Sequence, residues 1–371
     1  MTAGEVPTDP GAPSGSGAAG GAGSLGSGRT VAEPVADVDI TPRVEPGELL
    51  LEVDNLTVRF DTADGVVNAV TDLSWRLHGG ETLAILGESG SGKSVSVQAI
   101  MGLVPMPPGR IDRGSIRYRG TELVGADDKL MRTIRGPEIA MVFQDPLSGL
   151  NPVYRVGWQI AEMFRVHRGL GRRQANGAAI ELMRRVGIPH PEQRARQYPH
   201  EFSGGMRQRA MIAMALALEP KVLVADEPTT ALDVTVQAQI MELLAELQAT
   251  TGMGLVLITH DLGVVASVAD RVITMYGGRA VETGGAAAFY ARPAHPYSRA
   301  LMASVPRLTG SVHRLDAIPG SPPSMLRLPP GCSFHPRCGF AVEACRAAVP
   351  ALEPLVDRDG AAACIRIGEL P

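Results

Sequence analysis

The sequence has no long hydrophobic run. A bilayer span needs roughly 20 apolar residues, and the best candidate, Met211 to Ala225, is broken by Glu219, Pro220 and Lys221. Nor is there a surplus of positive charge. Against 35 Lys and Arg stand 39 Asp and Glu, a net charge of −4. The chain therefore lacks the basic field of a nucleic-acid coat, and no nucleic-acid partner is expected. The first residues include Glu5 and Asp9 but neither a basic nor an apolar stretch, so no secretory signal is expected and the chain reads as cytosolic. Cysteine is absent until Cys332, and all four cysteines fall in the last forty residues. The rest is ordinary: 371 residues that are 44% hydrophobic can bury the core of one large domain or two smaller ones.

One stretch stands out. Gly87-Glu88-Ser89-Gly90-Ser91-Gly92-Lys93-Ser94 fits the pattern G-x-x-x-x-G-K-[ST] of a phosphate-binding loop. Thr82 to Leu86 before it reads as a buried strand. Val95 to Val104 after it reads as a helix, with Ala99, Ile100, Met101 and Leu103 as apolar members. Glycines let backbone N–H groups curl around phosphate oxygens, and the helix N-terminus adds a favourable dipole. Lys93 then reaches the β- and γ-phosphates of a nucleotide, and the Ser94 hydroxyl meets Mg²⁺. The bland alternative is a glycine-rich turn that binds nothing, and the strand–loop–helix context speaks against it.

Residues 1–47 are Gly, Ala, Ser and Pro with scattered acids. They hold too little apolar surface to offset the entropy of ordering and are expected to be disordered. Leu49 to Val53, Leu56 to Phe60 and Val66 to Val70 read as short antiparallel strands separated by Asp/Asn/Gly turns. Phe60 can stack on an adenine ring or simply join the core. Gly114 to Tyr118 is a further strand, and Ile139 to Phe143 is a buried one that runs into Gln144-Asp145-Pro146. Residues 155–200 carry helical spacing: Val156, Ile160, Met163 and Phe164 form one apolar stripe, and Ile180, Leu182, Met183 and Val186 another.

Those helices deliver Phe202-Ser203-Gly204-Gly205-Met206-Arg207-Gln208-Arg209, where a serine and two glycines at a helix start make a second anion-shaped site. Val222 to Glu227 is a buried strand ending in two carboxylates, Asp226 and Glu227. Asp226 is placed to hold Mg²⁺ through water, and Glu227 to polarise an attacking water as general base. An Asp-Glu pair alone says little; downstream of a matched phosphate loop it says much. Thr230-Ala231-Leu232-Asp233 opens a helix that runs to about Gln248. Gly254 to Thr259 is one more buried strand, ending at His260-Asp261. A lone histidine is usually structural, but at the C-terminal end of a parallel strand it sits on the ligand face of the sheet. There it can reach a γ-phosphate or the attacking water. Arg271 to Tyr276 and Arg279 to Glu282 close the domain as strands.

In order and spacing, Gly87 to Ser94, Gln144, Ser203-Gly204-Gly205, Asp226-Glu227, Asp233 and His260 resemble the Walker A, Q-loop, signature, Walker B, D-loop and H-loop of an ABC-type ATPase, over residues 49–285. Val142 to Pro146, Glu201 to Arg209 and Asp226 to Gln237 are similar to the ATPase subunits of bacterial oligopeptide/dipeptide importers. His295-Pro296-Tyr297-Ser298-Arg299-Ala300-Leu301 resembles the start of that group's C-terminal extension. Phe202, Met206 and Val95 depart from the general superfamily pattern and agree with the peptide-importer group.

The resemblance implies an α/β fold: a P-loop NTPase with a RecA-like core, an antiparallel β subdomain, a helical signature subdomain and a small Cys-rich C-terminal extension. The division it implies is a tail over 1–47, the ABC ATPase domain over 48–285 and the extension over 286–371. It further implies that Phe60, Gly87, Ser89, Gly90, Ser91, Gly92, Lys93, Ser94, Val95 and Asp226 bind ATP, with Ser203, Gly204, Gly205 and Asp233 completing the site across a head-to-tail dimer. Mg²⁺ falls to Ser94, Gln144 and Asp226, and catalysis to Glu227, His260 and Gln144. ATP closes the dimer, hydrolysis reopens it, and Gln144 couples both states to two integral-membrane permeases. The other ATPase is a related subunit or a second copy, and an extracytoplasmic substrate-binding protein acts through the permeases. The implied location is peripheral, on the cytoplasmic face of the cell membrane.

The cysteine spacings, C-x5-C, C-x6-C and C-x18-C, fit neither a zinc ribbon nor a standard ferredoxin run. Stable disulfides are not expected in the cytosol. The thiols read as an all-cysteine zinc site, an iron–sulfur site or four reduced thiols in a small unit. Gly331 to Cys338 resembles the Cys-rich end of peptide-importer ATPases, which implies a [4Fe-4S] cluster on Cys332, Cys338, Cys345 and Cys364. Related ATPases serve nickel, glutathione or other small-solute importers, and the cargo is not written in an ATPase. Soluble ABC ATPases of ribosomes or DNA usually carry two cassettes or a long coiled coil; this chain has one cassette and no heptad run.

Overall fold

The computed structural model describes residues 44–230, 232–304 and 318–370. The segment expected to be disordered, 1–47, lies outside the described residues except at its end. There Val44 is buried against the core and Gly47 donates its N–H to the Gly79 carbonyl at 3.0 Å, so the folded part includes these last residues.

In chain order the strands are β1 (Leu49–Thr62), β2 (Gly65–His78), β3 (Thr82–Leu86), β4 (Gly109–Tyr118), β5 (Thr121–Glu122), β6 (Ile139–Val142), β7 (Val222–Asp226), β8 (Gly254–Ile258), β9 (Arg271–Tyr276), β10 (Arg279–Gly285), β11 (Glu353–Pro354) and β12 (Ala361–Ala362). They make two sheets. One is four-stranded and antiparallel, in the order β2-β1-β4-β5. The other runs β11-β12-β10-β9-β3-β8-β7-β6, parallel from β9 to β6 and antiparallel at the other edge.

The turn expected at Asp54-Asn55 is instead a bulge within one strand. β1 continues from Leu49 to Thr62, and its register against β2 and β4 shifts around Asn55. Asn55 takes a left-handed backbone, φ 51°, and its N–H donates to Ser74 Oγ at 2.8 Å. Asn tolerates positive φ in a turn and in a bulge alike, so the local signal does not separate them. Opposite lies Gly114, where a Cβ would fall 2.6 Å from the Leu56 Cα.

β3, β6, β7 and β8 are buried along their whole length, and their alternation sorts side chains into two cores. Leu83, Ile85, Val222, Val224, Val256 and Ile258 face the antiparallel sheet. Leu223, Ala225, Leu255 and Leu257 face a helical layer. Burying each such Leu or Ile stabilises the fold by about 1.5–3 kcal/mol.

The helices that matter here are α1 (Lys93–Ile100), α2 (Val156–Arg168), α3 (Arg172–Arg185), α4 (Gly204–Leu216), α5 (Val234–Thr251) and α6 (Pro296–Ala303). In the expected stripes of α2 and α3, Val156, Ile160, Phe164, Leu182 and Met183 are buried. α1 stops at Ile100, short of the expected Val104, and leaves Leu103 42% exposed. Beyond β10 the chain has little regular structure. It returns to the large sheet through β12, which pairs antiparallel with β10 at Glu282–Ala362.

Candidate nucleotide site

Parallel strands in register bring their C-terminal ends to one edge. Ile85 of β3 pairs with Ile258 of β8, Ile258 with Asp226 of β7, and Ala225 with Val142 of β6. The loop Gly87–Gly92, His260, the Asp226-Glu227 pair and Gln144 therefore stand side by side.

The phosphate loop is closely packed. A Cβ at Gly87 would meet the Met275 carbonyl oxygen at 2.4 Å, and one at Gly92, φ 100°, would meet that of Ala69 at 2.2 Å. Gly92 caps α1 without a side-chain hydrogen bond, so the first-turn N–H groups are left for a ligand. The Ser91 hydroxyl is buried and has no hydrogen-bond partner. Lys93, 5% exposed, donates to the carbonyls of Gly87 at 2.8 Å and Glu88 at 3.0 Å. Burial pulls its ammonium below the usual value, and the carboxylates of Glu227, Asp226 and Glu88 pull the other way.

Ser94 Oγ donates to Asp226 Oδ1 at 3.1 Å, setting two oxygen ligands side by side at the start of α1. Burial pushes the Asp226 carboxyl above the usual range, and the Ser94 hydroxyl partly offsets this. A buried carboxylate next to a hydroxyl is a donor set that suits a hard cation such as Mg²⁺. Glu227 follows in a left-handed conformation, φ 47°, which costs a non-glycine residue on the order of 1–3 kcal/mol and is typical of functional positions. One carboxylate oxygen accepts from Gln144 Nε2 at 2.8 Å and Thr230 Oγ1 at 2.9 Å; the other lies 3.7 Å from His260 Nδ1. His260 is 65% exposed. Phe60 is half-buried against the antiparallel sheet's core, and Val95 packs on the same core.

The remaining expected residues form a separate patch. Ser203 caps α4, its Oγ accepting from the Met206 N–H at 3.3 Å, and Asp233 caps α5 through the Val236 N–H at 2.9 Å. Gly204 and Gly205 face Leu232 and Val236 across the gap between the two helix starts. Ser203, Gly204 and Asp233 are exposed. Among the described residues none of their hydrogen bonds reaches the phosphate loop.

This geometry has close counterparts. A family model described as ABC transporter matches residues 70–230, and one described as the C-terminal region of oligopeptide/dipeptide transporters matches residues 281–345. The oligopeptide transport ATP-binding protein OppD of Bacillus subtilis is 53% identical over 295 residues, covering 79% of this chain and 82% of that relative. The dipeptide transport ATP-binding protein DppD of Escherichia coli K12 is 49% identical over 308 residues, 83% of this chain and 94% of that relative. The chain belongs to the oligopeptide/dipeptide family of ABC transporter ATP-binding subunits. A solved dimeric ATP-binding cassette in a post-hydrolysis state with ADP and Pi matches with a TM-score of 0.58 at 26% identity, over 64% of this chain and 99% of that one. As an ABC ATPase, the chain is an ATP hydrolase. No helix among the described residues is long and apolar enough to cross a membrane.

The family's C-terminal region contributes contacts that motif reading does not find. Tyr297, fully buried, accepts the Glu88 N–H on its hydroxyl at 2.8 Å. Arg337 grips the Glu88 carboxylate with two nitrogens, at 2.6 and 3.0 Å. The available signals were a tyrosine in the His-Pro-Tyr stretch and an arginine directly before Cys338; neither points to a partner.

The four cysteines line a single small pocket together with His295, Phe334 and Arg366. Burial pushes the Cys332, Cys338 and Cys364 thiols up, while the N–H of the residue two positions on (Phe334, Phe340, Arg366) pulls each down. No three His, Cys, Asp or Glu side chains among the described residues are grouped to hold a metal ion. The expected [4Fe-4S] site is thus not a ready-made metal centre.

Proposed function

We propose that this ATPase is one of a head-to-tail pair that powers uptake of oligopeptides or dipeptides through two integral-membrane permeases. The relatives' names support the cargo. The division proposed is a tail ahead of Val44, a cassette from Val44, whose side chain joins the core, to 285, and the family extension over 286–371. ATP lies between the phosphate loop of one subunit and Ser203, Gly204 and Gly205 of the other, with Phe60 and Val95 on the nucleoside side and Asp233 near the junction. Ser94, Asp226 and Gln144 would hold Mg²⁺, which neutralises phosphate charge. Glu227 takes a proton from water as its oxygen bonds the γ-phosphorus; the bond to the β–γ bridging oxygen breaks, leaving ADP and phosphate. His260 orients the γ-phosphate. The pair closes because ATP satisfies donors from both chains, and it opens when hydrolysis divides that bridge. Gln144 bonds Glu227 directly and would relay the state of the site to the permeases. The subunit works at the cytoplasmic face of the membrane, and an extracytoplasmic binding protein delivers cargo to the permeases.

The observation that carries this reading is Glu227, held by Gln144 and Thr230 with His260 alongside, next to the Ser94–Asp226 pair. Glu227→Gln keeps the shape and removes the base. Turnover should fall about 10²- to 10⁴-fold, and with ATP and Mg²⁺ the variant should retain the permeases, the second ATPase and the binding protein from solubilised membranes. Near wild-type hydrolysis would sink the base assignment, and recovery of ribosomes or DNA-repair factors would sink the transport role.

Cys332, Cys338, Cys345 and Cys364 would hold a [4Fe-4S] cluster, which would staple an extension poor in regular structure. Convergence on one pocket and the Arg366 N–H donating to Cys364 Sγ at 3.4 Å support this. A cluster takes one thiolate per iron, so its ligands stand farther apart than those of a single zinc. Anaerobically purified protein should contain iron and acid-labile sulfide that Cys338→Ser removes; thiols that are free and iron-free under those conditions would refute the cluster.

A further inference from the structure

Glu88 is an awkward residue to find in a phosphate loop. Its carboxylate lies close enough to Lys93 to bias that ammonium, and the same loop must accept a polyanion. The fold answers from the far end of the chain. Arg337, whose side chain is 7% exposed, forms a two-nitrogen ion pair with Glu88 at 2.6 and 3.0 Å, the bidentate arrangement that is strongest for a guanidinium. Arg337 is itself fixed. Its Nε donates to the Pro319 carbonyl at 2.8 Å and its Nη1 to Tyr276 Oη at 3.2 Å. The backbone at the same point is tied as well, by the Glu88 N–H donating to Tyr297 Oη at 2.8 Å. Tyr297 has no freedom to follow the loop: it is 0% exposed and packs on Tyr276 and Phe334, with ring centroids 4.6 and 5.3 Å away. The Glu88 carbonyl in turn receives Lys93 Nζ at 3.0 Å.

We propose that Arg337 and Tyr297 are positioning residues for ATP binding: the C-terminal extension fastens the phosphate loop through Glu88, neutralises its charge and thereby sets the placement of Lys93. Nucleotide affinity then depends on a part of the chain outside the cassette. Arg337 is carried on a short turn, His335–Arg337, between Cys332 and Cys338, so whatever orders those thiols also orders the clamp. The inference rests on Gly87–Ser94 being the ATP site.

The test is steady-state hydrolysis and equilibrium ATP binding by the full chain. Arg337→Met should raise KM and Kd for ATP about tenfold, the equivalent of about 1.4 kcal/mol, with kcat within about threefold. Because the defect is an uncompensated carboxylate, adding Glu88→Gln to Arg337→Met should recover most of the affinity, which a merely structural lesion would not allow. An unchanged KM in Arg337→Met, or a double variant no better than the single one, overturns the proposal. If Arg337→Met does not fold, Tyr297→Phe keeps the buried ring and removes the acceptor. It should raise KM about threefold, and an unchanged KM overturns the proposal equally. Failure of the unsubstituted protein to bind ATP would instead overturn the site itself.

Discussion

Two helix starts in this molecule look alike in sequence and differ in structure. α1 begins after Ser91-Gly92 and α4 after Ser203, both rich in glycine and serine. At α1 the cap is Gly92 in a left-handed conformation with no side-chain bond, Lys93 is buried, and the Ser91 hydroxyl is left without a partner. At α4 the serine closes on its own helix, at 3.3 Å to the Met206 N–H, and stands exposed. The first leaves its helix-start N–H groups and the Ser91 hydroxyl without side-chain partners. The second is self-satisfied at rest and faces outward, the form expected of a surface that meets nucleotide only when another subunit presents it.

Opposite responses to substitution sharpen that contrast. Ser203→Arg fills the outward surface and should cut hydrolysis about 10²-fold or more, the scale of losing oriented donors at a transition state. ATP binding by the isolated chain should stay within about twofold. Lys93→Ala should do the reverse and weaken ATP binding itself about 10- to 100-fold, since a charged hydrogen bond contributes about 1.5–3 kcal/mol. Titration with a fluorescent ATP analogue, alongside hydrolysis as a function of protein concentration, separates the two. If Ser203→Arg lost ATP affinity in the isolated chain, or Lys93→Ala kept it, the division into an inward and an outward half would be wrong.

Both helix starts were legible in the sequence because a helix N-terminus is local: cap, glycines and the first apolar turn lie within a few residues. The catalytic edge was legible for a related reason. Buried strands announce themselves as apolar runs, and parallel strands deliver their C-terminal loops to one side. The bulge at Asn55 was not, since positive φ serves turns and bulges equally. The clamp on Glu88 was least legible of all. Tyr297 lies 209 residues and Arg337 249 residues from their partner in sequence, and nothing local in a tyrosine or an arginine encodes which carboxylate or N–H it will meet.

A third helix start links the extension to the loop, and it yields the smallest effect. α6 is capped by His295, whose Nδ1 accepts the Tyr297 N–H at 3.1 Å; Tyr297 is the residue that holds Glu88. His295 is 1% exposed. Burial lowers its pKa to about 3, with a backbone bond to Ala363 opposing. The unfolded chain takes up a proton below about pH 6.5, whereas the folded chain does not until about 3. Between those values the unfolded state binds more protons, so this group's contribution to stability is intact above pH 6.5 and is lost as pH falls, by about 1.4 kcal/mol per pH unit. His295→Asn keeps a capping oxygen and removes the titration. In urea unfolding, the parent should lose about 2 kcal/mol more than the variant between pH 7 and pH 5. Equal losses would mean that the imidazole accepts a proton in the folded state, and the cap that presents Tyr297 would then be looser than its burial implies.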